Sequence, residues 1–264
     1  MMTATLPASE PQRPAPVRSS DLLDAIVCAD CLNEMRTMPD KSVDCVITDP
    51  PYGTTALEWD DASNVIESLR ECLRISRGAV CVFGSNPFSA DVVSALRKYW
   101  RHGWVWEKDK PANIYHAKIA PMKMHEDVLV FGETGMTYNP QMQERPEANR
   151  RNNAPRTNTS NLYGNALYLE KSNGDNPEKY PTSIQRFNTE RAAEHPTQKP
   201  LKLLRYLVAT YTNPGDVVLD CYAGSGTTLV ACKQTGRHYI GIEKEQRYAD
   251  TTKTRLAQEM CLGV

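Results

Sequence analysis

The sequence at residues 217–228, Val-Val-Leu-Asp-Cys-Tyr-Ala-Gly-Ser-Gly-Thr-Thr, decides the fold. Its apolar start predicts a buried strand, its glycines predict a loop, and the residues after them predict a helix from about Ser225 to Gly236. Residues 237–243 follow as a second predicted strand that ends in an acid. A strand, a glycine loop, a helix and a strand with a terminal acid are typical of the nucleotide-binding half of a doubly wound α/β sheet.

The residues of the glycine loop narrow the choice of ligand. A dinucleotide fingerprint has a third glycine three positions after the second, where this chain has Leu229. A phosphate-binding P-loop needs Gly-Lys-Ser or Gly-Lys-Thr, and the loop has neither. Asp220 would repel a pyrophosphate but attract an ammonium group, while Glu243 is placed to bind ribose hydroxyls. We therefore expect a nucleoside that carries an amino acid, which is S-adenosylmethionine (AdoMet).

A second informative motif is Asp49-Pro50-Pro51-Tyr52, which closes the apolar run at residues 43–48. Asp49 can accept one N–H of a planar exocyclic amine. The Pro50 carbonyl can accept the other, because a proline segment leaves carbonyls that no strand ladder uses. Tyr52 offers a ring face for a heterocycle to stack on, and this interpretation gives its hydroxyl no role. The four residues alone do not exclude a strand that ends in an acidic Pro-Pro turn.

Further segments, in a matching order, resemble the DNA amino-methyltransferases of the beta class. In that class the Asp-Pro-Pro-Tyr motif precedes the target-recognition region, and the AdoMet loop comes last. The matching segments are residues 30–32 with 38–44, 104–108, 125–131 and 195–200, and with the two motifs above they span about residues 26–248. One departure is Cys221-Tyr222, where the family commonly has Pro-Phe. It bears on AdoMet affinity rather than on the chemistry.

The resemblance implies a Rossmann-like AdoMet-dependent methyltransferase fold, with a mostly parallel sheet, helices on both faces and a polar target-recognition insertion. It also implies a site-specific enzyme that methylates the N6 amine of an adenine flipped out of double-stranded DNA. N4-cytosine methylation is the nearest alternative, and enzymes of that kind more often have Ser than Asp before the two prolines. A non-catalytic DNA-binding protein on the same fold is the second alternative. A homodimer and a cognate restriction endonuclease are compatible partners that the sequence leaves open.

The predicted site residues form three groups. The catalytic group is Asp49, Pro50, Pro51 and Tyr52. The loop and the resemblance assign cofactor binding to Asp30, Cys31, His195, Thr197, Lys199, Asp220, Tyr222, Ala223, Gly224, Ser225, Gly226, Thr227 and Glu243. The DNA-binding group is Lys108, Lys110, Lys118, Arg145, Arg150, Arg151 and Asn153. Simpler alternatives stay open for three acids, since Asp30 could be a helix N-cap, Asp220 a turn cap and Glu243 a solvated strand end.

The DNA-binding group rests on the distribution of charge. Residues 97–123 carry seven Lys or Arg among aromatic residues, which suits contact with phosphates. The Arg and Asn side chains at residues 145–156 suit base edges, because Arg pairs with guanine and Asn with adenine. A solvated basic face and an ordinary polar loop are the respective alternatives.

Composition sets the limits of these interpretations. The length of 264 residues favours a single hydrophobic core. The net charge of −1 argues against binding a polyanion by bulk charge. Residues 1–20 are expected to be a mobile tail, residues 21–264 a methyltransferase domain, and residues 133–194 its target-recognition insertion. Eight cysteines and no apolar N-terminal segment predict the cytoplasm, and no apolar run predicts a membrane span. The lone Cys28-x-x-Cys31 lacks a partner pair, so no metal is expected.

Overall fold

The computed structural model of the protein describes residues 22–53, 62–145, 177–190 and 198–261. The chain divides into a main unit and a small unit, Pro140–Thr182. The predicted tail at residues 1–20 lies outside the described residues. The same holds for five predicted site residues, which are Arg150, Arg151, Asn153, His195 and Thr197.

A mixed, mostly parallel sheet forms the centre of the main unit. The strands of the chain are β1 (Ala25–Cys28), β2 (Cys45–Thr48), β3 (Val80–Gly84), β4 (Trp100–Ala112), β5 (Lys123–Phe131), β6 (Gln143–Glu144), β7 (Glu178–Lys179), β8 (Ile184–Arg186), β9 (Val217–Asp220) and β10 (His238–Glu243). Eight of them lie in the order β1-β10-β9-β2-β3-β5-β4-β8. Neighbouring strands are parallel along the series β1-β10-β9-β2-β3. Strand β5 is antiparallel to its neighbours β3 and β4, and β8 is parallel to β4. In the small unit β6 pairs antiparallel with β7.

Helices cover both faces of this sheet, as the sequence predicts. They are α1 (Cys31–Thr37), α2 (Val65–Ile75), α3 (Phe88–Ala95), α4 (Leu201–Tyr211), α5 (Thr227–Gln234) and α6 (Gln246–Cys261). Strand β3 shows why two layers are needed, because its side chains alternate and all of them are buried. Phe83 packs in one cluster with Leu204 of α4, whereas Val82 packs in the other with Leu69 of α2. The structure confirms the predicted α/β fold.

The strand order of the sheet reverses between β9 and β2. These strands are parallel neighbours, with Cys45 opposite Val218 and Val46 opposite Leu219. The chain continues from β9 to β10 on one side and from β2 to β3 on the other. Their carboxyl ends therefore meet at a switch point, which is where ligands bind in open α/β sheets.

Two features of the sheet go beyond the sequence prediction. The matching segments at residues 104–108 and 125–131 belong to a longer β4–β5 hairpin, whose distal end is exposed and carries no apolar alternation. Strand β8 lies within the predicted insertion but pairs with β4 of the main sheet, with Val105 opposite Ile184. No helix within the described ranges is long and apolar enough to cross a membrane.

Two glycines allow backbone strain to be separated from steric contact. Gly226 has a φ of 74°, and a Cβ there would lie 2.3 Å from the Thr252 side chain, whereas Gly215 has a φ of 87° with nothing within 4 Å. Gly215→Ala should cost about 1–2 kcal/mol of unfolding free energy from the left-handed backbone alone. Gly226→Ala should cost a further 1–3 kcal/mol, roughly, because Thr252 is fully buried and cannot move aside freely. Urea unfolding measures both, and equal losses would contradict the steric argument.

Candidate active site

A pocket of about 750 Å³ opens at the carboxyl ends of the central strands. Its walls come from the segments that follow β1, β2, β9 and β10, together with Phe83 of β3 and the hairpin residues Trp106 and Lys108. The catalytic group and the described cofactor-binding group of the sequence prediction all line it, except Gly226. The pocket therefore brings together two motifs that lie about 170 residues apart in the sequence, as the bond between Thr48 and Asp220 shows.

Asp220 ends β9 at the base of the pocket and is 3% exposed. Its Oδ1 accepts hydrogen bonds from the Thr48 hydroxyl at 2.9 Å and from the Tyr222 N–H at 3.2 Å. Burial raises the pKa of Asp220 to about 6, although these donors act in the opposite direction. In the part of the chain that the structure describes, no lysine or arginine pairs with it. A buried carboxylate without a cation is suited to an ammonium group.

Glu243 ends β10 and holds the glycine loop in place. One carboxylate oxygen accepts the N–H of Gly224 at 2.8 Å, and the other accepts the N–H of Glu245 at 2.8 Å. Burial raises the pKa of Glu243. The carboxylate is therefore not a solvated strand end, and each oxygen keeps a second lone pair that a ribose hydroxyl could use.

Asp30 and Cys31 form the wall that follows β1. The Asp30 side chain accepts the N–H of Asn33 at 3.0 Å, so the N-cap alternative is correct for this residue. Cys31 is buried, and burial raises the pKa of its thiol to about 12, which keeps it neutral. Since both residues line the pocket, contact with the adenine edge of a cofactor stays a prediction.

The Asp-Pro-Pro-Tyr segment forms the opposite wall. The Tyr52 hydroxyl donates to Asp49 Oδ1 at 2.7 Å, and the ring stacks on Phe88 with centroids 5.0 Å apart. The sequence interpretation gave this hydroxyl no role, because the motif alone does not show that the aromatic ring folds back on its own acid. The structure corrects this point, since the hydroxyl fixes one oxygen of the carboxylate.

Lys199 and Lys108 occupy positions that the sequence did not predict. Lys199 donates to Asp49 Oδ2, so it contacts the catalytic motif, and its contact with the cofactor stays a prediction. Lys108 donates to Glu126, and its side chain is only 10% exposed, so it is not a surface contact for phosphate. Glu126 Oε2 also lies 3.3 Å from Lys199 Nζ. Lys108, Glu126, Lys199 and Asp49 thus form a line of alternating charges, which we call the charge chain.

Sequence reasoning missed Glu126 and misplaced Lys108, although a signal was present. Glu126 has the same strand parity as Val128 and Val130, and Lys108 has the same parity as Trp104 and Trp106. All four apolar residues are buried in one cluster. Because alternate residues of a strand share a face, this pattern predicts that the side chains of Glu126 and Lys108 both face inward.

The remaining DNA-binding candidates lie elsewhere. Lys110 and Lys118 are exposed on the β4–β5 hairpin, before and after Ala112, which lines the pocket. Tyr115, at the hairpin tip, is fully exposed. Arg145 belongs to the small unit, where its N–H donates to the Pro177 carbonyl.

Comparison with known proteins identifies the family. A family model described as DNA methylase, N6_N4_Mtase, matches residues 43–254, which is most of the chain. The chain belongs to this DNA methylase family. AdoMet is its cofactor. The buried carboxylate of Asp220 and the glycine loop beside Glu243 fit that molecule.

Individual relatives agree with the family. The type II methyltransferase M.HinfI of Haemophilus influenzae is 27% identical over 278 residues, which cover 90% of this chain and 70% of that protein. The crystal structure of the M1.HpyAVI–SAM complex is 26% identical, with a TM-score of 0.56, and the match covers 88% of this chain and 98% of that one. The cytosine-N4-specific PvuII DNA methyltransferase has a TM-score of 0.60 at 16% identity, covering 87% and 85% of the two chains, which shows the fold alone.

AdoMet binding by this DNA methylase should depend on the charge of Asp220. The pKa of Asp220 is raised from 3.8 to about 6, so the free protein holds a proton there below that pH. Affinity should therefore fall as the pH drops below about 6, by up to about tenfold per unit, because the ammonium group binds the ionised form. The same shift makes the folded apoprotein relatively more stable below pH 3.8, and this contribution is lost as the pH rises through about 6.

Calorimetric titration with AdoMet from about pH 5 to 7.5 measures this dependence, below the pH near 8 at which an α-amino group loses its proton. Asp220→Asn should bind weakly throughout and with a flatter pH dependence. An unchanged slope in that variant would assign the titration to another group.

Proposed function

We propose that this DNA methylase transfers a methyl group from AdoMet to the exocyclic N6 amine of an adenine flipped out of duplex DNA. The observation that carries the proposal is the single pocket that Asp49 and Pro50 share with Asp220 and Glu243. One wall offers two acceptors for an amine. The other offers carboxylates for the ammonium and the ribose of the cofactor.

The amine needs help because its lone pair is delocalised into the ring. Asp49 and the Pro50 carbonyl accept its two N–H groups and favour the tetrahedral geometry in which the lone pair faces the methyl group. AdoMet, when bound, supplies a methyl group whose leaving group is a neutral thioether. The residues of the site therefore contribute position and electrostatic complementarity more than strong acid–base catalysis.

Access to the amine requires that the base leave the helix. An exocyclic amine is paired inside duplex DNA, so the base must rotate out into the pocket. Tyr52 is the proposed stacking partner, and its ring plane is fixed by Phe88 and by the bond to Asp49.

The remaining contacts of the cofactor follow from the same arrangement. Asp220 would bind the ammonium, the backbone from Tyr222 to Gly226 and Thr227 would approach the methionine part, and Glu243 would bind the ribose. Asp30 and the Cys31 amide would meet the adenine edge. His195 and Thr197 are carried by the resemblance alone.

Asp49 favours adenine over cytosine, because N4-cytosine enzymes more often have Ser at this position. The fold does not separate the two, since the similar PvuII enzyme is cytosine-N4-specific. The choice therefore rests on the motif, and a product analysis decides it.

The first test combines product analysis with two variants. DNA treated with the wild-type protein and labelled AdoMet, then digested to nucleosides, should contain N6-methyladenine. Asp49→Ala should abolish transfer while AdoMet still binds, since Asp49 faces the base. Asp220→Ala should instead weaken AdoMet binding, since it removes the partner of the ammonium. N4-methylcytosine would support the cytosine alternative, and an inactive wild-type protein the non-catalytic one.

We also propose that residues 133–194 carry target recognition, while Lys110 and Lys118 contact phosphates. Lys110→Ala and Lys118→Ala should weaken binding to all duplexes alike and reduce the salt dependence by about 0.9 in log–log slope per contact. Arg150→Ala, Arg151→Ala and Asn153→Ala should change which sites are methylated, at about 1–3 kcal/mol per bidentate contact. Sequencing of methylated sites distinguishes the two sets. A uniform loss at every site in Arg150→Ala and Arg151→Ala would show that these two arginines act only through charge.

A further inference from the structure

The charge chain is the feature that the proposed function leaves unexplained. It joins four elements, since Asp49 follows β2, Lys199 precedes α4, Glu126 lies in β5 and Lys108 lies in β4. Both lysine side chains are at most 10% exposed, and the carboxylates lie at the pocket wall with 25% and 17% exposure. Such burial of charge is costly unless every charge is paired. An arrangement of this kind implies a use at the site itself.

The lysines are held by more than their partners. Lys199 Nζ lies 5.1 Å from the centre of the Phe83 ring, and Lys108 Nζ lies 4.8 Å from that of Trp106. A cation against an aromatic face is stabilised by the ring quadrupole. Glu126 joins the two lysines, so that Lys199 is fixed from one side by a ring and from the other by a carboxylate.

We propose that Lys199 is a positioning residue that keeps the catalytic carboxylate of Asp49 ionised and oriented, and that Glu126, anchored by Lys108, holds the side chain of Lys199 in place. This inference rests on the proposed role of Asp49 as the acceptor of the amine. It assigns Lys199 to the reacting base rather than to the cofactor.

The geometry leaves Asp49 able to bind the amine. Oδ1 accepts the Tyr52 hydroxyl and Oδ2 accepts Lys199. A carboxylate has about four lone-pair sites, so each oxygen keeps one for an N–H of the base. The hydrogen bonds from Tyr52 and Lys199 also fix the plane of the Asp49 carboxylate. A fixed plane lets the carboxylate hold the amine in one orientation.

Opposing influences act on the ionisation of Asp49. Burial raises the pKa of Asp49, Lys199 lowers it, Glu126 raises it and Tyr52 lowers it. The flanking Lys108 acts through Glu126, whose pKa is kept low by both lysines despite burial. The charge of Asp49 in turn raises the pKa of Asp220, which lies at the base of the pocket. The pKa of Asp49 stays above its ordinary value, and Lys199, the cation in direct contact with Asp49, limits this rise.

Substitutions of Lys199 and Glu126, the two central members of the charge chain, should therefore shift the pH profile of methyl transfer in opposite directions. Lys199→Gln should move the acid limb of methyl transfer to higher pH by about one to three units, because the nearby positive charge is lost. Glu126→Gln should move it to lower pH, because the negative charge that raises the pKa of Asp49 is lost. In both variants the affinity for AdoMet should change little.

The measurement is single-turnover methyl transfer from about pH 5 to 9 with AdoMet and DNA saturating, so that titration of Asp220 in the free protein does not contribute. Two matched controls lie outside the charge chain, Lys202→Gln on the exposed face of α4 and Glu107→Gln on β4. Both should keep the wild-type pH profile of methyl transfer. Thermal unfolding and AdoMet titration of each variant confirm that it is folded.

The outcomes separate this inference from the proposed function. An unmoved acid limb in Lys199→Gln, or a shift in the same direction in both variants, overturns it. So does a loss of AdoMet affinity in Lys199→Gln as large as that in Asp220→Ala, which would restore the cofactor contact that the sequence predicted. Retained turnover in Asp49→Ala would instead refute the proposed function.

Discussion

The parallel pairing of β2 with β9 is the constraint on which the rest of the structure depends. It places the end of a strand from the first fifth of the chain beside the end of one from the last fifth, and the Thr48 hydroxyl joins them by its bond to Asp220. Every other part of the site is positioned relative to this pair. The glycine loop follows β9, the proline segment follows β2, and the strands β10 and β3 extend the sheet on either side.

Much of the fold could be predicted because local patterns and global arrangement agree. The helix predicted from about Ser225 to Gly236 is observed as Thr227–Gln234, and the strand predicted at residues 237–243 as His238–Glu243. The buried run before Asp49 required a strand covered on both faces. The pairing of β8 with β4 could not be predicted, because a three-residue strand in a polar stretch has no periodicity to detect.

The candidate site divides in the same way. The motifs predict which residues line the pocket, since they lie at the carboxyl ends of parallel strands that the sheet brings together. They do not predict which side chains contact one another, because Lys199 and Asp49 lie 150 residues apart and their contact depends on packing. The same limit explains the error at Lys108. Its local context is basic and looks like a surface, while its partner Glu126 is on the next strand.

The small unit is attached to the main unit at two well-anchored positions. Asn139 precedes it, and its backbone and side-chain amides donate to the carbonyls of Thr210 and Thr212. Ser183 follows it, and its carbonyl accepts the N–H of Val105. Because the entropy of closing a loop changes only slowly with its length, a segment between two such anchors can be lengthened, shortened or replaced at little cost to the rest of the domain. The residues between Asn139 and Ser183 can therefore differ in length or sequence without displacing the strands that hold the pocket.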